Sequence, residues 1–384
     1  MKELLHNDEG YMRRALELAR RPAGPTYPNP RVGAVIVSDG EIIGEGYHRA
    51  VGLPHAEIEA ITMAGDRVRG STIYLNLEPC CHYGRTPPCT DAIREAGIAR
   101  VVFGIYDPDE RVRGRGAGIL KGEGIDVCAG VLERDALELN LPYIHRSVTG
   151  RCFVMLKLAS TLDGRLTAVG RRWLTGSPAR ARVHDLRAQT EAIAVGIGTL
   201  IDDRPRLDRR LHEEELPPPV RMVFDPQLRF PLDYPWLVDG ERVIIYAVRN
   251  ADPGRRHALE AANAEVVILP EKDGLVDLTH WIEEISSRGF TSVMVEGGGR
   301  IATSILREGC FERLVLFYAP VISGQGGVLW FGDRKEPPWF ENGGLVLERQ
   351  ELIGDDVMAV YDRSHIDRYL ELVTGGDRLV HRTD

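Results

Sequence analysis

Short apolar runs alternate with amphipathic or capped helical segments, once before and once after residues 147–150. This double alternation restricts the chain to two largely parallel α/β units. In the first half, "AVIVSDGEIIGEGYH" reads as two alternating strands about an Asp39-Gly40 turn, a strong hairpin signal. The helix "YMRRALELARRP" precedes it and a helix from about Ala56 follows; "STIYLNLEP", "TPPCTDAIREAG" and "ARVVFGIYDP" then read as strand, helix and strand. "GIDVCAGV" and the helix "ERDALELNLPYIHR" close this unit, and the polar "SVTG", Ser147 to Gly150, marks the boundary.

The second half reopens with the β-rich "RCFVMLKLASTLDGR". Ser177 is the expected N-cap of "SPARARVHDLRAQT", with Pro178 at the first helical position. Strands are predicted at "EAIAVGIG", "VRMVFD", "RVIIYA", "EVVILP", "SVMVEG" and "ERLVLFYAPVI", with helices near Arg255 to Asn263 and Asp277 to Arg288. The acidic, proline-rich "LHEEELPPP" lies between strands and reads as a solvated loop. The expected domains are residues 1–147 and 151–362, with 363–384 a C-terminal extension of unassigned role, read as an appended helix.

Composition narrows the function. No apolar run approaches the roughly 20 residues that cross a bilayer, and "MKELLHNDEG" lacks a signal-peptide core, so a cytoplasmic enzyme without a membrane partner is expected. In that reducing compartment six cysteines, three of them isolated at Cys128, Cys152 and Cys310, argue against a disulfide framework. A net charge of -9 disfavours a nucleic-acid footprint but not a small phosphorylated substrate.

The other cysteines sit in "EPCCHYGRTPPC", Glu78 to Cys89. Zinc takes thiolate and imidazole together, and a catalytic zinc keeps three protein ligands and an open position for water. Upstream, "PHAEIEA" supplies His55 and Glu57. A His-x-Glu pair followed by Pro-Cys is the signature of zinc nucleobase deaminases. A strict Pro-Cys-x-x-Cys would put the second thiol at position 83, which is Tyr83, and the next available cysteine is Cys89. His55 and Glu57 converge on one metal only where the chain enters a helix, a placement that Pro54 and the first-turn acid fit. A loop bulging between Cys80 and Cys89 would return the second thiol to a helix N-terminus, which favours thiolate. Cys81 and His82 stand as rivals for a ligand position. Read singly, "PHAE" is an acidic helix start and Cys80 a strand-end thiol; in this order they point to a catalytic metal. Zinc lowers the pKa of bound water to about 7. Glu57, beside the metal without ligating it, is expected to carry the proton from water to the ring nitrogen and then to departing ammonia.

These motifs, with "PNPRVGAVIV", resemble the deaminase half of the bifunctional riboflavin-biosynthesis deaminase/reductase family. The resemblance implies His55, Cys80 and Cys89 as zinc ligands, leaves Cys81 and His82 as neighbours, and places Asn29 of "TYPNP" near the pyrimidine.

Alone, "VMVEGGGRIATSIL" is a strand, a glycine turn and a helix start suited to a phosphate. With "LKLASTLDGR", "RRWLTG" and "DLRAQTEAIAVGIGTLIDDRPRL" in this order, it is similar to the family's reductase half. The implied fold is a cytidine-deaminase-like three-layer domain followed by a dihydrofolate-reductase-like α/β domain. Ala159, Trp173, Thr199, Asp203 and the segment Gly298, Gly299, Arg300, Ile301, Ala302, Thr303 and Ser304 would face NADPH. Arg187, Leu207, Arg210 and Glu296 would face the substrate, the two arginines near its phosphate. "DDRPRL" departs from the family's Asp-Asp-Pro, so a one-residue shift selects Asp202 instead of Asp203. A phosphoribosyl-pyrimidine substrate and a homo-oligomer are expected.

Two other classes compete. An RNA-docking editing protein is opposed by the acidic charge and by the absence of an aromatic-plus-basic strand motif. A non-catalytic zinc-stabilised cofactor sensor is opposed by Glu57, since a structural zinc site has no use for an unligated acid.

Overall fold

A computed structural model describes residues 2–21, 26–83, 87–211, 214–215, 218–238, 240–329, 344–363 and 366–374. The chain divides into a unit of residues 1–150 with 365–384 and a unit of residues 151–364.

The first unit starts with α1 (Lys2–Arg20) and the hairpin β1 (Gly33–Ser38) and β2 (Glu41–Tyr47). Asp39 and Gly40 both take positive φ, 52° and 81°, the backbone of a type I′ turn. Then come α2 (Ala56–Ala64), β3 (Thr72–Leu77), α3 (Cys89–Ala96), β4 (Arg100–Ile105), α4 (Arg115–Gly122), β5 (Asp126–Ala129) and α5 (Glu133–Thr149). The sheet runs β2-β1-β3-β4-β5, with β3, β4 and β5 parallel. α1 and α5 pack together, as do α2, α3 and α4, which gives three layers. Ile36, Leu75, Phe103 and Ile93 belong to the core between the sheet and α2, α3 and α4. Both β3 and β4 therefore deliver their carboxyl ends to loops that helices cover.

The division falls at the end of the "SVTG" stretch. That stretch forms the last turn of α5, and Gly150 ends that helix in the left-handed conformation with φ 71°. A glycine there avoids the Cβ clash that any other residue would meet.

The second unit holds β6 (Phe153–Thr161), α6 (Ser177–Ala188), β7 (Ala192–Gly196), α7 (Ile197–Asp203), the short pair β8 (Arg210–Leu211) and β9 (Glu214–Glu215), and β10 (Val220–Phe224). It continues with α8 (Pro235–Val238), β11 (Val243–Val248), α9 (Pro253–Ala261), β12 (Ala264–Leu269), the pair β13 (Glu271–Lys272) and β14 (Leu275–Val276), and α10 (Leu278–Ser287). β15 (Ser292–Glu296), α11 (Gly299–Glu308), β16 (Arg313–Ala319), β17 (Leu345–Ile353) and β18 (Asp356–Arg363) complete it. Nine strands order as β12-β11-β10-β7-β15-β6-β16-β18-β17. The first seven run parallel and the β18-β17 hairpin adds an antiparallel edge. Leu156, Val295, Trp281 and Ile305 are among the residues of its core. Gly176, not Ser177, occupies the N-cap of α6, so Pro178 falls one residue deeper in the first turn.

The C-terminal extension does form a helix, α12 (Ile366–Val373), and it returns to the first unit to pack on α5.

Candidate active sites

The first site lies where α2 and α3 begin. His55 holds the N-cap position of α2 with extended backbone, φ -71° and ψ 160°, and Cys89 is the first residue of α3. Cys80 follows β3, and the N–H groups of Cys89 and Thr90 donate to its Sγ (3.3 Å) and carbonyl (3.1 Å), which seats it against the helix start. His55 Nδ1 is 3.2 Å from Cys89 Sγ and 3.6 Å from Cys80 Sγ. All three donor atoms lie within 4.8 Å of one another. A tetrahedral zinc with bonds of about 2.0–2.3 Å needs N and S donors roughly 3.6–3.8 Å apart, so the residues fit the metal. The Cys89 thiol and then His55 hold the Cys80 thiol low, while contact with Cys80 and burial push Cys89 up. Cys81 instead donates to the Arg111 carbonyl at 3.5 Å, and neither it nor His82 joins the cluster.

Glu57 sits in the first turn of α2 and is only 4% exposed. Burial, and then the Cys80 charge, push its carboxyl up. A buried acid next to the donor set, with a raised pKa, is the profile of a proton carrier.

His48 is the residue that sequence reasoning missed here. It is buried, 5.5 Å from the His55 ring and edge-on to it. Burial pushes its pKa down. In the neutral ring Nδ1–H donates to the Pro54 carbonyl at 3.2 Å, which leaves Nε2 to accept from Asn29 Nδ2 at 3.1 Å. Asn29 is thus oriented by a histidine that touches the metal-fitted cluster. The available signal was a second histidine just ahead of Pro54 on the strand side.

The second site gathers at the carboxyl ends of the parallel strands of the other unit, where open α/β sheets bind ligands. β15 ends at Glu296, Gly298 caps α11, and the Thr199 hydroxyl accepts from Gly298 N–H at 3.0 Å. A Cβ on Gly299 would lie 2.5 Å from the Leu329 carbonyl, so that turn tolerates no side chain. Arg300 is exposed and Ile301 packs beside Gly196 and Gly297, whereas Ala302 is in the core, Ser304 is buried and Thr303 is half-buried. The whole segment from Gly298 to Ser304 therefore does not present its side chains to one ligand. The helix N-terminus, with its glycine backbone and dipole, fits a cofactor phosphate.

Around it, Ala159 is half-buried on β6, opposite Phe317. Trp173 is 58% exposed, with the Arg172 and Arg180 guanidinium carbons each 5.4 Å from its ring centre. Asp203 ends α7; desolvation and the neighbouring Asp202 push its carboxyl up. Leu207 is buried with φ 50°. The Arg210 side chain lies outside the described residues. The Arg187 guanidinium fork is held by Glu296, at 2.6 and 3.0 Å. Lys157, missed in the sequence, approaches the same carboxylate at 3.9 Å. Burial pushes its ammonium pKa down. A lone lysine in the apolar run "FVMLKLAS" was the signal, because lysine is rarely buried without a partner.

Together these sites define a zinc-type nucleobase deaminase joined to a nicotinamide-type reductase. Residues 5–105 match the cytidine and deoxycytidylate deaminase zinc-binding region, and residues 152–345 match the RibD C-terminal domain. The chain is 38% identical over 358 residues to riboflavin biosynthesis protein RibD of Aquifex aeolicus, covering 93% of this chain and 98% of that one. It is 39% identical over 331 residues to the Escherichia coli protein of the same name, covering 83% and 89%. Among solved structures, Acinetobacter baumannii RibD aligns with TM-score 0.80 at 34% identity, over 94% of this chain and 99% of that one. A Thermotoga maritima diaminohydroxyphosphoribosylaminopyrimidine deaminase/5-amino-6-(5-phosphoribosylamino)uracil reductase aligns with TM-score 0.78 at 33% identity, with coverage of 94% and 99%. The chain belongs to the RibD family, the bifunctional deaminase/reductases of riboflavin biosynthesis, and carries both domains. It is therefore an enzyme acting on a pyrimidine, and its domains imply a zinc and a nicotinamide cofactor. Among the described residues no helix is long and apolar enough to cross a membrane.

Proposed function

We propose that the first unit deaminates 2,5-diamino-6-(5-phosphoribosylamino)pyrimidin-4-one at a zinc held by His55, Cys80 and Cys89, and that the second uses NADPH to reduce the ribosyl group of the product to ribityl. The observation that carries the deaminase reading is three zinc-compatible donor atoms within 4.8 Å beside a buried acid outside the ligand set. Bound there, zinc would supply the Lewis acidity that makes water nucleophilic near neutral pH. Glu57 takes one proton from the attacking water and places it on the ring nitrogen, then carries the second, from the added hydroxyl, to the amine, which leaves as ammonia while the carbonyl forms. Asn29, held by His48, orients the pyrimidine.

In the second unit NADPH would supply the hydride equivalent, its phosphates at the start of α11 beside Thr199. Trp173 and Asp203 border the cofactor, while Glu296, Lys157 and Arg187 hold the sugar-bearing substrate with Leu207 and Arg210. The enzyme acts in the cytoplasm as a homo-oligomer. Incubating the purified chain with the diamino substrate, with and without NADPH, tests both halves. Ammonia release in either case and cofactor oxidation only after deamination are expected; cofactor oxidation without prior ammonia release would overturn the order.

A further inference from the structure

We propose that α12, the last helix of the chain, is a positioning element of the deaminase site: it fixes Tyr106 and, through it, the loop 107–113 that walls the strand end carrying Cys80. Nothing in the matched deaminase region, residues 5–105, includes α12 or this loop.

The contacts form a continuous path. Tyr369 and Val373 of α12 are buried. The Tyr369 hydroxyl lies 2.8 Å from His145 Nδ1 on α5, with the two rings edge-on at 5.9 Å. The Val373 carbonyl accepts the Tyr106 N–H at 2.8 Å, where β4 has just ended. The next residue, Asp107, donates its N–H to Glu78 Oε2 at 3.2 Å and accepts from the Tyr143 hydroxyl of α5 at 2.8 Å and from Asp109 N–H at 2.9 Å. Glu78 also accepts from Gly114 N–H and Ala117 N–H, each at 2.9 Å, so one carboxylate pins both ends of the loop. Glu78 stands two residues before Cys80, and the loop's Arg111 carbonyl accepts from the Cys81 thiol at 3.5 Å. α12 thus grips the chain at Tyr106, just before the loop, and again through α5, which carries both His145 and Tyr143.

The zinc-fitted residues and Glu57 are anchored independently of this path. His55 and Glu57 belong to the start of α2, and Cys80 is also held by the N–H groups of Cys89 and Thr90. Loss of α12 is therefore expected to move the wall beside Cys81 and His82 while leaving the metal and proton carrier in place. That change weakens substrate binding more than it slows the chemical step.

The test is a full chain stopped after Ser364, together with full-length Tyr369→Ala and Tyr369→Phe. Deaminase KM and kcat, zinc per chain and reductase turnover are measured on each preparation. Truncation should raise the deaminase KM about tenfold with kcat, zinc and reductase turnover unchanged, the equivalent of one positioning hydrogen bond. Tyr369→Ala should raise KM by a smaller factor, and Tyr369→Phe, which keeps the ring in its seat, should restore most of it. A fall in zinc and kcat together at constant KM would show that α12 only stabilises the unit, and unchanged constants would show that it is dispensable; either overturns the proposal. If the truncated chain loses its fold, the KM of Tyr369→Ala decides by the same criteria. The proposal rests on the deaminase reading of the His55 and Glu57 site. A zinc-loaded wild-type chain that releases no ammonia would remove that reading, a result distinct from any shift in KM.

Discussion

Arg187 and Glu296 face each other as a two-pronged ion pair, with Nε at 2.6 Å from Oε1 and a terminal guanidinium nitrogen at 3.0 Å from Oε2. The pair is largely buried, and Lys157 adds a second cation at 3.9 Å from Oε2. One carboxylate therefore balances two cations at the end of β15, where the reductase site opens. Removing it leaves Lys157 without its carboxylate and Arg187 with only the more distant Asp208, at 4.0 Å. Glu296→Ala is expected to destabilise the second unit by about 3–5 kcal/mol, read by urea unfolding followed through tryptophan fluorescence. An unchanged midpoint would show that solvent reaches both cations.

The same pair sets a pH dependence. Burial alone would raise the Glu296 carboxyl, but Arg187 and then Lys157 outweigh it and hold the pKa below the ordinary value. A carboxyl lowered in the folded state contributes stability in full above its unfolded value of about 4.3. That contribution disappears as pH falls through the lower folded value. Wild type should lose stability more steeply than Glu296→Gln below about pH 4.3, measured as thermal midpoint against pH. Parallel profiles would exclude Glu296 as the titrating group.

At the metal site, Cys80→Ser and Cys89→Ser should each lose zinc, and Cys81→Ser should keep it, because the Cys81 thiol is spent on the Arg111 carbonyl. Metal analysis of the purified variants is sufficient. Zinc retained in Cys89→Ser would mean that Cys81 or His82 moves in to complete the ligand set.

Glu57→Gln should keep zinc and lose deamination by about 10²–10⁴-fold, the usual worth of a placed proton carrier. Reduction of the already deaminated intermediate should survive in the same preparation. Ammonia release near the wild-type rate would exclude Glu57 as the carrier.

Most of the strands could be read from the sequence because their apolar residues are contiguous, and the first hairpin because Asp39-Gly40 can take the two positive φ values its turn needs. α4 could not. Its glycines at 116, 118 and 122 oppose helix by propensity, yet Gly116 is required by packing, since a Cβ there would lie 2.4 Å from the Pro79 carbonyl. The metal ligands were legible as residue types at a recognisable spacing. His48 and Lys157 were not, because what gives them a role is a partner brought close by the fold: Asn29 for one, Glu296 for the other. "SVTG" marked the boundary by composition, but that α5 continues through it as far as Thr149 was not legible there.

The return of α12 to the first unit changes where the chain can be divided. A cut between Gly150 and Arg151 alone would leave α12 attached to the reductase, with Tyr369 and Val373 stripped of their cover and Tyr106 N–H without the Val373 carbonyl. A fragment of residues 151–364 avoids this, and every proposed cofactor and substrate residue of the second unit lies within it. It also retains the nine-stranded sheet and its core, enough for an independent fold. The 151–364 fragment should be monodisperse, bind NADPH in preference to NADH, and reduce the deaminated intermediate while leaving the diamino substrate untouched. The 151–384 fragment should associate or aggregate through the exposed face of α12. Size-exclusion chromatography and cofactor titration on the two fragments separate these outcomes: a folded 151–364 fragment that neither binds NADPH nor reduces the intermediate would place the reductase site outside this unit.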